Sequence, residues 1–158
     1  MIKFVFVVIC FLLSIRSKEK LLIIAMFFTV IADYCMVLKG WNNLGLLFFW
    51  AVQLTYNERF GNPAKFILIA AVFAALAFNK LSAGYLVCVL CSVVGSFRNF
   101  KNYLAPIGML LFLLCDINVA LANIFDYPVF WRLIWVFYLP SQLLLAFSSV
   151  HKRNVQNV

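Results

Sequence analysis

Residues 105–124 read A-P-I-G-M-L-L-F-L-L-C-D-I-N-V-A-L-A-N-I, an apolar run long enough to cross a membrane, with Asp116 well inside it. A second apolar run, Leu21 to Leu38, has the same arrangement around Asp33. An ionisable side chain at that depth is costly in hydrocarbon, so it marks a functional site by default. These two acids are the main functional indication in the sequence.

The composition of the whole chain is typical of a membrane protein. Hydrophobic residues make up 66% of its 158 residues and charged residues 11%, and the mean hydropathy is +1.04. A water-soluble domain of this size could not hide so much apolar surface from solvent. We therefore expect one all-helical domain over residues 1–158 that is a multi-pass integral membrane protein surrounded by membrane lipids.

Polar and helix-breaking residues divide the chain into seven apolar segments. The predicted helices are residues 2–16, 20–38, 42–57, 64–79, 82–97, 103–124 and 128–149. The first segment resembles a signal peptide in charge and apolar length. The small residues of a cleavage site are missing after it, so we interpret it as a retained first helix of the bundle.

The basic residues predict the orientation of this transmembrane bundle. With seven spans, one side carries nine Lys and Arg residues: Arg16, Lys18, Lys20, Arg59, Lys65, Arg98, Lys101, Lys152 and Arg153. The other side carries Lys3, Lys39, Lys80 and Arg132. Cytoplasmic loops are enriched in basic residues, so the N-terminus is predicted outside and the C-terminus in the cytoplasm. The net charge of +8 is explained in the same way, and we expect no nucleic-acid partner.

Several polar side chains are predicted to lie at a similar depth to the two acids. Counted from the outer helix ends at ~1.5 Å per residue, Asp33 and Asp116 lie roughly 10 and 13 Å deep. Spacings of three or four residues place such side chains on shared helix faces. The candidate site residues are Asp33 and Asp116 with Thr29, Gln53, Tyr56, Tyr138, Gln142 and Asn123. Pro140 lies between Tyr138 and Gln142 and is expected to loosen the last helix.

Other kinds of site are not favoured. The spans contain no histidine, which argues against a histidine-rich zinc hydrolase and against Ser-His-Asp chemistry. Cys88 and Cys91 have C-x-x-C spacing, but without a second pair we interpret them as packing residues. His151 lies in the basic tail and is interpreted as a solvated or headgroup-facing residue. We expect neither a metal nor a cofactor.

Three short blocks also carry a family pattern. They are V-I-A-D at 30–33, L-G-L-L-F-F-W-A-V-Q-L-T-Y at 44–56, and L-F-L-L-C-D-I-N-V-A-L at 111–121 followed by Y-L-P-S-Q-L-L at 138–144. In order and spacing these blocks resemble the YhhN family of multi-spanning membrane proteins, which includes lysoplasmalogenases. Three positions depart from the family pattern: the histidine is Gln53, the glycine before the first acid is Ala32, and the serine before the second is Cys115.

The resemblance implies hydrolysis of the vinyl-ether bond of a lysoplasmalogen to a fatty aldehyde and a glycerophospho-base, with a lysophospholipid as the substrate. Asp33 and Asp116 are then the expected catalytic pair. Two alternatives remain open: a proton-coupled transporter, because paired intramembrane acids also build proton relays, and a non-catalytic protein that binds lipids or a partner. The oligomeric state is not predicted.

Overall fold

The computed structural model describes residues 2–99, 103–125 and 127–148. Within these ranges the chain forms seven α-helices and no strand. They are α1 (Ile2–Ile15), α2 (Lys20–Asp33), α3 (Asn42–Arg59), α4 (Ala64–Ala77), α5 (Leu81–Asn99), α6 (Leu104–Phe125) and α7 (Pro128–Phe147).

The prediction of an all-helical fold with seven helices is confirmed. One internal difference concerns the second helix, which was predicted to run unbroken to residue 38. Instead, the α-helix ends at Asp33 and the chain continues as a π-helical turn, Tyr34–Leu38. The predicted last residue of helix 7, the basic tail with His151 and the end of the 1–158 domain lie outside the described residues.

The helix boundaries follow from residues that a helix does not accommodate. Gly40 and Gly61 have φ of 69° and 78°, and Asn79 has φ of 50°, which is left-handed backbone that ends a helix. Pro63 precedes α4, and Pro128 occupies the first position of α7, where its missing N–H costs no hydrogen bond.

The surface of the bundle is apolar enough for lipid contact. Phe73, Leu76 and Phe78 are each more than 70% exposed, which is unfavourable in water but normal against acyl chains. Four segments are long and apolar enough to cross a membrane: Lys20–Leu38, Leu81–Arg98, Leu104–Phe125 and Pro128–Phe147. The apolar helices α1 and α4 have only 14 residues each.

Six of the helices pack side by side in a closed ring. The principal contacts run from α1 to α2, α3, α5, α6 and α7 in turn, and α7 packs back against α1. The fourth helix lies beside this ring, packed against α5 and less extensively against α3. The interior of the ring therefore receives side chains from six helices, and the two predicted acids belong to α2 and α6.

One glycine allows an unusually close approach at the junction of three helices. A Cβ atom on Gly84 of α5 would lie 2.5 Å from Cζ2 of Trp50 in α3 and in collision with the carbonyl oxygen of Ala71 in α4. Only glycine fits between these groups without displacing backbone. This close contact limits how far α5 can shift or rotate against α3 and α4. Tyr85 is the next residue in α5, so the contact also limits the position of Tyr85.

Candidate functional site

The first predicted acid, Asp33, is the last residue of α2 before the π-helical turn. Its side chain is nearly buried, with 6% exposure, and its Oδ2 accepts a hydrogen bond of 2.6 Å from the hydroxyl of Tyr138 on α7. Helices α2 and α7 both flank α1, so this bond crosses the ring interior. Short π-helical turns are also frequent at functional sites.

The second predicted acid, Asp116, is held in a similar way by a different tyrosine. Its Oδ2 accepts a hydrogen bond of 2.9 Å from the hydroxyl of Tyr85 on α5. Unlike Asp33, Asp116 keeps part of its surface exposed. Tyr85 is not among the residues predicted from the sequence. A tyrosine near the N-terminal end of helix 5, at a height that lets its hydroxyl reach Asp116, is the signal that could have identified it.

The two Tyr–Asp pairs share one neighbour, Cys115. Its thiol lies within electrostatic range of both carboxyl groups, and it also interacts with both tyrosine hydroxyls. A run of aromatic rings joins the pairs as well: Phe49 lies 6.4 Å from the Tyr85 ring and 6.0 Å from Phe112, and Phe112 lies 6.0 Å from the Tyr138 ring. Both acids therefore face one region around Cys115. Among the described residues, no hydrogen bond joins the two carboxyl groups directly.

Three predicted polar residues are fully buried without hydrogen-bond partners. Both amide atoms of Gln53, both amide atoms of Gln142 and the hydroxyl of Tyr56 find none in the part of the chain that the structure describes. A buried polar atom left unsatisfied costs about 1–3 kcal/mol. Five such atoms would together cost about as much as the whole stability of a domain, and we infer that water or a polar ligand satisfies them.

Gln53 in α3 and Gln142 in α7 lie at the same height in the bundle. Arg59 in α3 donates a 2.8 Å hydrogen bond to the hydroxyl of Ser148, the residue that follows α7, so these two helices end at the same side of the bundle. We call this side the Arg59 end. Gln53 and Gln142 each lie six residues before that contact, which places both amides about 9 Å above it.

Further along the ring interior, the two glutamines are followed by the acid pairs. The amide of Gln53 lies near the hydroxyl of Tyr85 but outside hydrogen-bond geometry, and Gln142 lies one helical turn from Tyr138. We call Tyr56, Gln53 and Gln142 the polar column. It extends from the Arg59 end toward the Tyr85–Asp116 and Tyr138–Asp33 pairs.

A largely buried ion pair lies at the Arg59 end. Arg59 binds both carboxylate oxygens of Glu19, at 2.9 and 3.0 Å, and its side chain is fully buried while that of Glu19 keeps 24% exposure. Tyr56 lies within electrostatic range of this pair and of Cys10. The ion pair with Ser148 ties together the α1–α2 turn, α3 and the end of α7.

A second polar cluster has a structural role between α3 and α5. The amide nitrogen of Asn57 donates to the carbonyl of Cys88 at 3.0 Å and to the hydroxyl of Ser92 at 2.7 Å. Asn62 donates to the carbonyl of Cys91 at 2.9 Å. Each of these donors satisfies an acceptor on the neighbouring helix or its own, so the cluster holds the helices together in the manner expected for polar groups inside a membrane.

Three predicted site residues, Thr29, Asn123 and Tyr56, form no hydrogen bond with either acid in the part of the chain that the structure describes. Thr29 is buried, but its hydroxyl donates to the carbonyl of Ala25 one turn earlier in the same helix, at 2.9 Å. Asn123 is exposed and donates to the carbonyl of Val119 at 2.7 Å. Tyr56 also lies apart from the acids, near the Arg59 end.

Among the described residues, no group of three or more His, Cys, Asp or Glu side chains is arranged to hold a metal ion. Comparisons of the chain with protein-family models, with curated proteins and with solved structures gave no match. The class of protein is thus described by its own fold and site. It is an all-helical protein with four helices long and apolar enough to cross a membrane, and it has two tyrosine-bound aspartates inside the bundle.

Proposed function

We propose that the chain is a multi-pass membrane hydrolase that cleaves the vinyl-ether bond of a lysoplasmalogen, by analogy with the YhhN family that it resembles. The observation that supports this proposal is the pair of aspartates on separate helices, each bound by a tyrosine and both next to Cys115. Two carboxyl groups facing one region provide the groups that acid-catalysed ether hydrolysis requires.

The proposed reaction begins with transfer of a proton to the β carbon of the vinyl ether. This leaves an oxocarbenium ion, which a water molecule attacks to form a hemiacetal, and the hemiacetal then breaks down to an aldehyde and an alcohol. One carboxyl group must supply the proton, and one carboxylate must stabilise the cation and orient the water, as in glycosidases.

We assign the proton donor to Asp116 and the stabilising carboxylate to Asp33. The bond of 2.6 Å from Tyr138 to Asp33 has the length typical of a hydroxyl bound to a carboxylate. Asp116 is less buried than Asp33, so it is the acid that an amphiphile entering between helices would reach more easily. Gln53 and Gln142 would hold water or the headgroup, and Gln53 stands where the family has a histidine.

A second candidate function is proton-coupled transport. It is favoured by the polar column, because a line of buried polar groups that leads from one end of a bundle to two acids also suits a proton relay. Proton-dependent uptake of a solute into vesicles that contain the protein, without aldehyde release, would support transport over hydrolysis.

The decisive experiment measures aldehyde release from a lysoplasmalogen by the purified protein in lipid vesicles. We expect release by the natural sequence and a loss of about 10³-fold in kcat/KM for both Asp33→Asn and Asp116→Asn, in line with the usual size of general acid catalysis. The matched control is Asn118→Ala, two residues from Asp116, because within the described ranges the Asn118 side chain donates to the carbonyl of Leu114 in its own helix and does not contact either acid by a hydrogen bond. Full activity in both Asp variants would refute the assignment.

A further inference from the structure

The polar column offers hydrogen-bonding groups of both kinds to whatever lies against it. Each glutamine presents one acceptor and two donors, and the hydroxyl of Tyr56 is both donor and acceptor. All three side chains have 0% exposure, and the atoms concerned have no partner in the described part of the protein. An acyl chain cannot satisfy such groups, so their ligand must itself be polar.

The two ends of the column lie near groups that reach the surface. Glu19 is partly exposed at the Arg59 end, and Asp116 is partly exposed near the opposite end. The glutamine layer lies about 9 Å from the Arg59–Ser148 contact, a span of roughly three water molecules, because hydrogen-bonded water molecules lie roughly 2.8 Å apart. Buried water in proteins typically bonds to polar groups that are otherwise unsatisfied.

We propose that the polar column is a file of water-binding sites that connects the Arg59 end with the two Tyr–Asp pairs. Gln53 and Gln142 hold water in the middle of the file, and the hydroxyl of Tyr56 holds it beside the ion pair. Water then reaches the acids from the end of the bundle, while the lipid enters from the side.

The use of this water rests on the proposed function. Vinyl-ether hydrolysis consumes one water molecule per lipid: the proton goes to the β carbon, the water oxygen bonds to the α carbon, and the ether oxygen leaves as the alcohol. Each turnover therefore needs a new water molecule at a site enclosed by helices, and the column supplies it.

The thiol of Cys115 can be used to measure whether water reaches the two acids. The thiol of Cys115 lies within electrostatic range of both carboxyl groups, whereas Cys91 lies in a surface groove between α4 and α5, with Ile67, Leu90 and Val94. Variants that retain only Cys115 or only Cys91 are reconstituted in lipid vesicles and transferred to D₂O. The S–H stretching band in the infrared then measures how fast each thiol exchanges.

We expect Cys115 to exchange at least tenfold faster than Cys91. Adding Gln53→Met and Gln142→Met, which keep side-chain length but remove the amides, should slow Cys115 at least tenfold and leave Cys91 unchanged. Exchange at Cys115 no faster than at Cys91, or unaffected by the two methionines, would overturn the proposal.

Thermal stability gives a second measurement on the same variants. If water satisfies the amides, the two methionines should leave Tm unchanged or lower it, since they remove groups that were already hydrogen-bonded. A clear rise in Tm would mean that the amides were dry and unsatisfied, and would contradict the water file. Fast exchange at Cys115 without aldehyde release would support the water file and contradict the proposed hydrolase. Slow exchange at Cys115 with aldehyde release would support the hydrolase and contradict the water file.

Discussion

Each of the two aspartates inside the bundle has one tyrosine as its partner, and each tyrosine comes from a different helix. The Tyr138 hydroxyl fixes the Asp33 carboxyl group, and the Tyr85 hydroxyl fixes that of Asp116. In a medium that lacks water, such a bond both lowers the cost of burying the acid and sets the direction of its lone pairs. The tyrosines are therefore expected to position the acids for the proposed reaction.

Removing either hydroxyl tests this positioning role. We expect Tyr138→Phe and Tyr85→Phe each to reduce the rate of aldehyde release roughly 10- to 100-fold, because a hydrogen bond to a charged group contributes about 1.5–3 kcal/mol. The control is Tyr103→Phe, whose ring is 80% exposed. Equal rates in Tyr85→Phe and Tyr103→Phe would show that the Tyr85–Asp116 bond has no part in the reaction.

The ion pair at the Arg59 end leads to a prediction about stability. Replacing Glu19 with Gln leaves the buried Arg59 guanidinium without its carboxylate, so we expect a loss of about 2 kcal/mol or more, measured by thermal unfolding in detergent. Glu58→Gln is the matched control, because Glu58 is the exposed neighbour of Arg59 in the same helix. If both substitutions lower Tm by the same amount, the ion pair is not a stabilising contact.

At the scale of single residues, the sequence identified the acids but not all of their partners. An aspartate within an apolar run is conspicuous, so Asp33 and Asp116 could be selected without any structure. Tyr85 could not be selected with the same ease, because an isolated tyrosine in an apolar helix is usually a packing residue. Thr29 and Asn123 share a helix face with an acid, but each hydroxyl or amide bonds to its own backbone instead.

At the scale of the elements, the helices were predictable because their ends carry residues with strong local preferences. Proline before or at the start of a helix and glycine or asparagine in left-handed backbone act over a few residues, independently of packing. The π-helical turn after Asp33 was not predictable in this way. Its five residues, Y-C-M-V-L, have no sequence feature that distinguishes them from α-helix.

The junction at Gly84 yields a prediction for helix packing. Gly84→Ala places a methyl group against the Trp50 ring and the Ala71 backbone, so α5 must move away from α3 and α4. We expect a loss of about 1–3 kcal/mol in stability, as for other overpacked sites. We also expect lower activity, since Tyr85 is the next residue. Gly108→Ala is the control, because its Cβ would contact only the flexible side chains of Leu144 and Leu145, at 3.0–3.3 Å.

At the scale of the whole molecule, the ring of six helices could not be inferred from the sequence. Hydropathy locates apolar segments along the chain, but it does not say which of them touch. The contact of α7 with α1 joins segments from the two ends of the chain, and the position of α4 beside the ring interrupts the sequential order. Both features depend on side-chain packing between distant residues.

The predicted topology can be tested with single cysteines introduced at the turns of a cysteine-free variant. Lys18, Lys39 and Lys80 are exposed and lie in three different turns. For a seven-span protein with its N-terminus outside, a thiol reagent that cannot cross membranes should label Lys39→Cys and Lys80→Cys in intact cells. It should label Lys18→Cys only after the membrane is opened. Labelling of all three in intact cells would contradict the seven-span topology.

The contact of Arg59 with Glu19 and Ser148 has a consequence for how the protein is made. Its three residues emerge from the ribosome at very different times, because Glu19 precedes α2 and Ser148 follows α7. During synthesis the Arg59 guanidinium can meet the Glu19 carboxylate early, whereas Ser148 becomes available only after α7 has been made. A chain released before that point would lack the Arg59–Ser148 hydrogen bond, and its ring of helices would stay open. Such an open chain would be a substrate for quality-control proteases.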